Sequence, residues 1–378
     1  MAASYLDAVD AVVAEVVAPQ ARAVDQDGVF PRAAVEALGE AGLLGLTCAT
    51  ETGGGGQGMR AAADVVERLA AACGSTAMVM LMHYAAVAAI EAYGPKEVRQ
   101  ELAAGRHLST LAFSEAGSRS HFWSPRGTAT AVNGTVRLDA RKSWVTSAGQ
   151  ADSYVWSSRP LGGDAPMTLW LVPASARGLA VAGDFDGLGL RGNGSRPMTA
   201  DGLTVDPAAM LGEDGSGLDI ALTVPLPWFL VLNAAFCVGL MEAATADASA
   251  HVTATRLEHL GQSLAQQPVT RLELARLRLR TDGARAFLAD TLDALESGRE
   301  DALLRVLEVK AAAGEAVIAV TDGAMKVCGG AAFRKELGLE RRFRDARAAR
   351  VMAPTTDALL DFVGRVTTGL PLFDEANS

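Results

Sequence analysis

The chain has 378 residues, of which 49% are hydrophobic and 21% charged, so it can bury a large core and long disorder is excluded. Its 34 basic and 44 acidic residues leave a net charge of −10, which argues against a nucleic-acid binder, since such proteins cluster basic charge. A local anion pocket is compatible with that balance.

Four cysteines, Cys48, Cys73, Cys237 and Cys328, stand apart with no CxxC or Cys/His cluster, so no metal site and no disulfide framework are expected. The start carries acidic residues and no basic stretch ahead of an apolar one, unlike a signal peptide. Among apolar runs, Ile220–Gly239 comes closest to membrane-spanning length, but two prolines and Asn233 interrupt it. The expectation is a soluble, cytoplasmic protein without membrane contact.

Residues 1 to about 107 read as helical. Apolar residues recur at spacings of three and four through VDAVVAEVVAPQARAVD and PRAAVEALGEAGLLGL. The run Gly53–Gly56 punctuates them. The following ADVVERLAAACGSTAMVMLMHYAAVAAIEAYG is apolar nearly all round, the pattern of helices buried in a bundle. Near residue 108 the grammar changes to short β-rich runs, with Asn133-Gly134 as a strong hairpin signal. Residues 108–212 are expected to form a small antiparallel β domain. Helical patterns return from 213 to the end. One long helix is expected over residues 230–261, a second over 270–298 and a third over 303–330, the last two closed by glycines. A short final helix over 355–366 is capped by Thr or Asp. The fold class is α+β: residues 1–107 an N-terminal helical domain, 108–212 a middle β domain, and 213–378 a C-terminal four-helix bundle.

Four local motifs lie along this frame. AFSEAGSRS occupies residues 112–120, and Lys142-Ser143-Trp144-Val145-Thr146-Ser147 follows in the β region. Leu188–Gly212 has the look of a glycine-punctuated strand pair, and CGGAAFRKELGLERRFRDAR fills residues 328–347. In this order and spacing they resemble the acyl-CoA dehydrogenase flavoprotein family. The resemblance implies non-covalently bound FAD, an acyl thioester substrate on CoA or a carrier protein, an electron acceptor, and a homotetramer or homodimer.

It also implies roles for particular residues. Phe113 and Ser114 open a cofactor loop whose small residues Ala116, Gly117 and Ser118 let backbone N–H groups approach a ligand. Trp144 is expected to lie by the flavin ring and Thr146 to bond its reactive edge, with Ser147 in the same motif. Lys326, Gly329 and Gly330 match the segment that meets the diphosphate of a neighbouring subunit's FAD, where Lys serves as a point charge. Arg256 (or Arg271) is the candidate second cation, and Thr355 also falls at a cofactor position. Ser118, Arg119, Phe122, Trp123 and Phe229 are candidate substrate contacts. Arg119 replaces the family's acid and would attract a phosphate or carboxylate.

The base that removes an α-proton is a Glu in the family, after the RDAR motif or early in the first long C-terminal helix. Here those positions hold Ala353 and Phe229. Neither side chain can accept a proton. Glu115, His83, His121 and Asp357 are the remaining candidates. Three readings stay open: an acyl thioester oxidoreductase with a relocated or absent base, a flavin-dependent monooxygenase supplied by a flavin reductase, and a catalytically silent flavin or acyl binder.

Overall fold

Apolar side chains repeating every three to four residues along the first hundred positions wind into helices in the computed structural model, which describes residues 4–118 and 121–373. Helix α1 (Tyr5–Val12) starts at a capping box between Ser4 and Asp7 and runs through a π-helical turn, Val13–Val17, into α2 (Ala18–Gln26). Pro19 in the first turn of α2 has no N–H for the preceding turn, and the widened turn accommodates it. Then come α3 (Arg32–Glu40), α4 (Met59–Ala72), α5 (Gly74–Tyr93) and α6 (Lys96–Ala103). Nearly every residue of α5 is buried, as its all-round apolar pattern requires.

Eight strands follow: β1 (Ser109–Ala112), β2 (Thr128–Val132), β3 (Thr135–Val145), β4 (Ser153–Ser158), β5 (Thr168–Pro173), β6 (Leu179–Val181), β7 (Arg196–Val205) and β8 (Met210–Leu211). They form two four-stranded sheets, ordered β1-β4-β5-β8 and β2-β3-β7-β6. Asn133 and Gly134 both have positive φ, 48° and 82°, and pair Val132 with Thr135. This is the two-residue turn whose twist suits a hairpin. The expectation of an antiparallel domain needs one correction: β1 and β4 pair in parallel. The intervening β2 and β3 belong to the other sheet, so the chain re-enters the first sheet in its original direction after a long crossover.

The C-terminal part begins with α7 (Gly217–Thr223) and α8 (Pro225–Ala254). The prolines that interrupt the apolar run sit in the first turn of α8, where no N–H is needed. The helix expected to reach residue 261 ends at Ala254. Thr255 turns extended, and a small hairpin of β9 (Arg256–Leu257) and β10 (Gln262–Ser263) closes through Gly261 at φ +64°. A helix cannot continue through that conformation. Helices α9 (Pro268–Ser297), α10 (Ala302–Cys328), α11 (Leu339–Ala346), α12 (Ala348–Val351) and α13 (Thr356–Thr367) complete the chain. Thr355 caps α13, accepting the Ala358 N–H.

Helix α10 packs on α8, α9 and α13, while α8 packs back onto α4 and α5. Helices α5 and α8 are long and apolar enough to cross a membrane, yet both are mostly buried inside the fold. The RDAR segment links the three parts. Arg344 pairs with Asp25 of α2 at 2.6 Å, and Asp345 accepts the Leu190 N–H at 2.6 Å.

His83 lies in this framework rather than at a reaction centre, which corrects its place among the candidate bases. It is fully buried, with Nε2 3.0 Å from the Leu44 carbonyl and Nδ1 accepting the Ser109 N–H at 3.2 Å. Those partners put its proton on Nε2. Burial lowers its pKa to about 4. The unfolded chain therefore binds the extra proton first, and stability is lost as pH falls from 6.5 to 4. The loss amounts to about 3 kcal/mol. Thermal melts of the wild type and His83→Gln across this window should show the wild type losing its advantage as pH falls; parallel curves would refute it.

Candidate functional site

The middle domain places two loops side by side through one buried ion pair. Lys142 and Glu115 face each other across an isolated antiparallel bridge, and Lys142 Nζ donates to Glu115 Oε1 at 2.6 Å. The same ammonium donates to the carbonyl and hydroxyl of Ser157, at 2.7 and 2.8 Å, and stands 5.1 Å from the Trp156 ring centroid. Glu115 Oε2 accepts the backbone N–H groups of Arg126 and Gly127, at 2.6 and 2.9 Å. Both charges are shielded from water. Burial pushes Lys142 down to about 8 against the pull of Glu115. With both its oxygens committed, Glu115 is a scaffold group, and its candidacy as a base is corrected on that ground.

Beside this pair opens a cleft of about 400 Å³ lined by Glu115, Ala116, Gly117, Ser143 and Trp144. The Ser143 N–H donates to the Ser114 carbonyl at 2.9 Å, and the Ala116 N–H to the Arg141 carbonyl at 3.1 Å. A register shift in β3 after Lys142 swings Trp144 outward, with φ +57° and 70% exposure. Phe185 meets its ring edge-on at 6.3 Å. Thr146 is buried behind it, with its hydroxyl 3.2 Å from that of Ser195. Ser147 adopts φ +59° and donates its N–H to the Asn193 carbonyl. An exposed indole held in a left-handed backbone beside a wall of small residues fits the flat face of a flavin, which would cover it. Phe113, Ser114, Trp144 and Thr146 would hold that group from the β side.

The other predicted residues separate into groups. Ser118 turns back to donate its hydroxyl to the Glu115 carbonyl at 3.1 Å. Arg119 lies outside the described residues. Phe122 and Trp123 are buried: Phe122 stacks with Phe113 at 6.3 Å, and Trp123 meets Phe362 of α13 and Phe373 at 5.5 and 5.2 Å. They bind the loop to the C-terminal segment. His121 is exposed and packs against Trp123, and Asp357 is exposed in the first turn of α13. Arg256 donates to the Gly261 carbonyl within its own hairpin, and Arg271 to the carbonyls of Ala265 and Gln266. Lys326, 70% exposed near the end of α10, pairs with Glu273 of α9 at 3.0 Å. Gly329 and Gly330 follow it in a short 3-10 turn.

Sequence reasoning missed Lys310. This residue of α10 is fully buried, and its ammonium donates to the carbonyls of Ala349, Met352 and Pro354, at 3.2, 3.1 and 2.8 Å. The turn it gathers carries Ala353, and the ring of Phe229, itself 6% exposed, lies 5.9 Å from the ammonium. Burial lowers Lys310 to about 8. Ala353 and Phe229, distant in sequence, thus flank one buried cation. The signal was present: Lys310 shares the apolar stripe of α10 with Val306, Val317 and Val320.

Comparison with known proteins follows the same three parts. Residues 3–105 match the acyl-CoA dehydrogenase N-terminal domain, 110–203 the middle domain and 215–368 the C-terminal domain. The human mitochondrial short-chain specific acyl-CoA dehydrogenase is 27% identical over 347 residues, covering 90% of this chain and 83% of that protein. Butyryl-CoA dehydrogenase from Megasphaera elsdenii superposes with a TM-score of 0.90 at 21% identity, over 96% of this chain and 97% of that one. The prolyl acyl carrier protein oxidase AnaB gives 0.87 at 20% identity, over 96% and 98%.

Removing one partner of the buried pair leaves an uncompensated charge. Lys142→Met should lower unfolding free energy by about 3–5 kcal/mol and loosen the cofactor. Adding Glu115→Gln should restore much of the stability. Denaturant titration and FAD retention measure both, and equal losses in single and double variants would refute the coupling.

Proposed function

The chain belongs to the acyl-CoA dehydrogenase family of FAD-dependent oxidoreductases, and we propose that it oxidises an acyl group presented as a thioester without a carboxylate base at residue 353 or 229. The observation that carries the reading is Trp144, whose exposed face overlooks the cleft beside Ala116 and Gly117. Apolar area left in water is recovered when a flat ring covers it.

When bound, FAD supplies a two-electron acceptor for the substrate's hydride. The chain's own part is to hold and cover. Trp144 and Phe113 offer apolar faces, Thr146 a hydroxyl, and the backbone of residues 114–117 a close wall. In the C-terminal part, Lys310 fixes the turn at residues 349–354, and Thr355 follows it as the cap of α13. The cation beside Ala353 and Phe229 would favour negative charge developing nearby, although its three donors are spent on carbonyls. Positions 353 and 229 carry no carboxylate, and Asp357, in the first turn of α13, is the acid nearest to residue 353 along the chain. The same substitution favours a second reading, a monooxygenase reaction that removes no α-proton. Exposed Leu272 and Leu279 on α9, and Phe333 beyond α10, support a homo-oligomer in which Lys326 meets a neighbouring subunit's cofactor.

Anaerobic addition of acyl-CoA and acyl carrier protein thioesters should bleach the flavin absorbance. A flavin that stays oxidised with every thioester would overturn the dehydrogenase reading. Incorporation of ¹⁸O from ¹⁸O₂ into product, with reduced flavin supplied, would establish the monooxygenase. Ala353→Glu should speed bleaching by a saturated acyl-CoA at least tenfold, since a positioned base contributes about 10²–10⁴-fold. An unchanged rate would remove residue 353 as the base position.

A further inference from the structure

A second cavity, of about 430 Å³, opens where the π-helical turn, α4 and α11 meet. Arg68, Arg341 and Arg342 line it together with small aliphatic side chains, and it shares no residue with the cleft at Trp144. No acidic residue lines it among the described residues. Its walls follow from local sequence. Val13 begins the π turn and Ala18 closes it, donating its N–H to the Val13 carbonyl, so the two stand on one side of the chain. Arg68, Ala71 and Ala72 share a face of α4 at spacings of three and four. Arg341 and Arg342 reach in from α11 to the end of α4. Arg341 Nη2 donates to the Ala72 carbonyl at 3.1 Å, and Arg342 Nη1 to the Ala71 carbonyl at 2.7 Å. These are carbonyls that a helix end leaves without partners in the helix.

The arginines carry more positive charge than their own partners use. Arg342 Nε pairs with Asp247 at 2.7 Å, and Arg68 Nε with Asp10 at 3.0 Å. Arg341 makes no ion pair among the described residues. Buried Asp345 lies close enough to feel its charge, but gives Oδ1 to the Leu190 N–H. A guanidinium has several N–H donors, and those of Arg341 meet the Ala72 carbonyl alone. Two guanidiniums seated on neighbouring carbonyls repel each other, and an anion between them removes that cost. Planar forks reaching in from α4 and α11 match the oxygens of a phosphate. Val13, Ala18, Ala71 and Ala72 beside them suit an apolar body.

We propose that Arg68, Arg341 and Arg342 form a binding site for a phosphate monoester with an apolar body. Helix α11 also anchors α2 and the middle domain through Arg344 and Asp345, so the occupant steadies the junction of the three parts. Neither the residues nor the ligand of this site depends on the reaction proposed for the cleft.

Calorimetric titration of the FAD-loaded protein tests the site with phenyl phosphate, inorganic phosphate, benzoate and phenol as probes, and with R341K and R68Q as variants. In the wild type, phenyl phosphate should bind at least about tenfold more tightly than each of the other three, because the site offers both charged forks and apolar walls. Added salt should weaken that binding. R341K keeps a cation but loses the planar fork, and R68Q removes a partly exposed one. Each should weaken phenyl phosphate by about tenfold. Saturating phenyl phosphate should raise the wild-type melting temperature, and both variants should lose most of that rise. A wild type that does not bind phenyl phosphate, or variants that bind it as the wild type does, overturns the site. Benzoate binding as tightly as phenyl phosphate overturns the phosphate assignment, and inorganic phosphate binding as tightly overturns the apolar body. If R341K fails to fold, R68Q decides alone.

Discussion

The contact between Lys142 and Glu115 is where the geometry of the site begins. Two charges taken out of water gain little net stability on their own, because desolvation offsets their attraction. What they gain here is position. The ammonium satisfies Glu115 and both oxygens of Ser157, and the second carboxylate oxygen receives the N–H groups of Arg126 and Gly127. One pair thereby sets the loop after β1, the middle of β3, the end of β4 and the entry to β2. The cleft wall, the outward swing of Trp144 and the placement of Arg126 over Gly117 all follow from that junction.

The C-terminal side has a counterpart in Lys310, which gathers three carbonyls of the turn at residues 349–354. A buried ammonium must have its protons accepted, and backbone oxygens left over at the end of α12 supply that need. Two buried lysines thus order two separate loops, and both are lowered to about 8 by burial. Their roles differ. Lys142 is paired with a carboxylate, whereas Lys310 is compensated only by dipoles. That difference leaves a buried positive charge beside Ala353 and Phe229.

Local patterns carried much of the fold. The Asn133-Gly134 turn, the glycines after α9 and α10, and the Thr cap of α13 depend on backbone conformations that few residues adopt, so short stretches reveal them. The parallel pairing of β1 with β4 was not legible, because it depends on which sheet the intervening strands join. The early end of α8 was hidden as well: residues 252–260 contain no proline or glycine, and the hairpin that replaces the helix is closed by Gly261. Among site residues, Trp144 stood out by its motif. Glu115 and His83 looked like bases only because composition does not reveal what a polar group already bonds.

Sequence alone determined the order of helical, β and helical parts, the motifs that carry the resemblance, and the presence of Ala and Phe at residues 353 and 229. These depend on residue identity and short-range spacing, which a linear reading contains. Tertiary structure decided which polar groups remain available. It committed Glu115 to Lys142, closed His83 between two backbone groups, and brought Lys310 beneath Ala353. Availability depends on burial and on partners tens or hundreds of residues away, and only the folded chain brings those together.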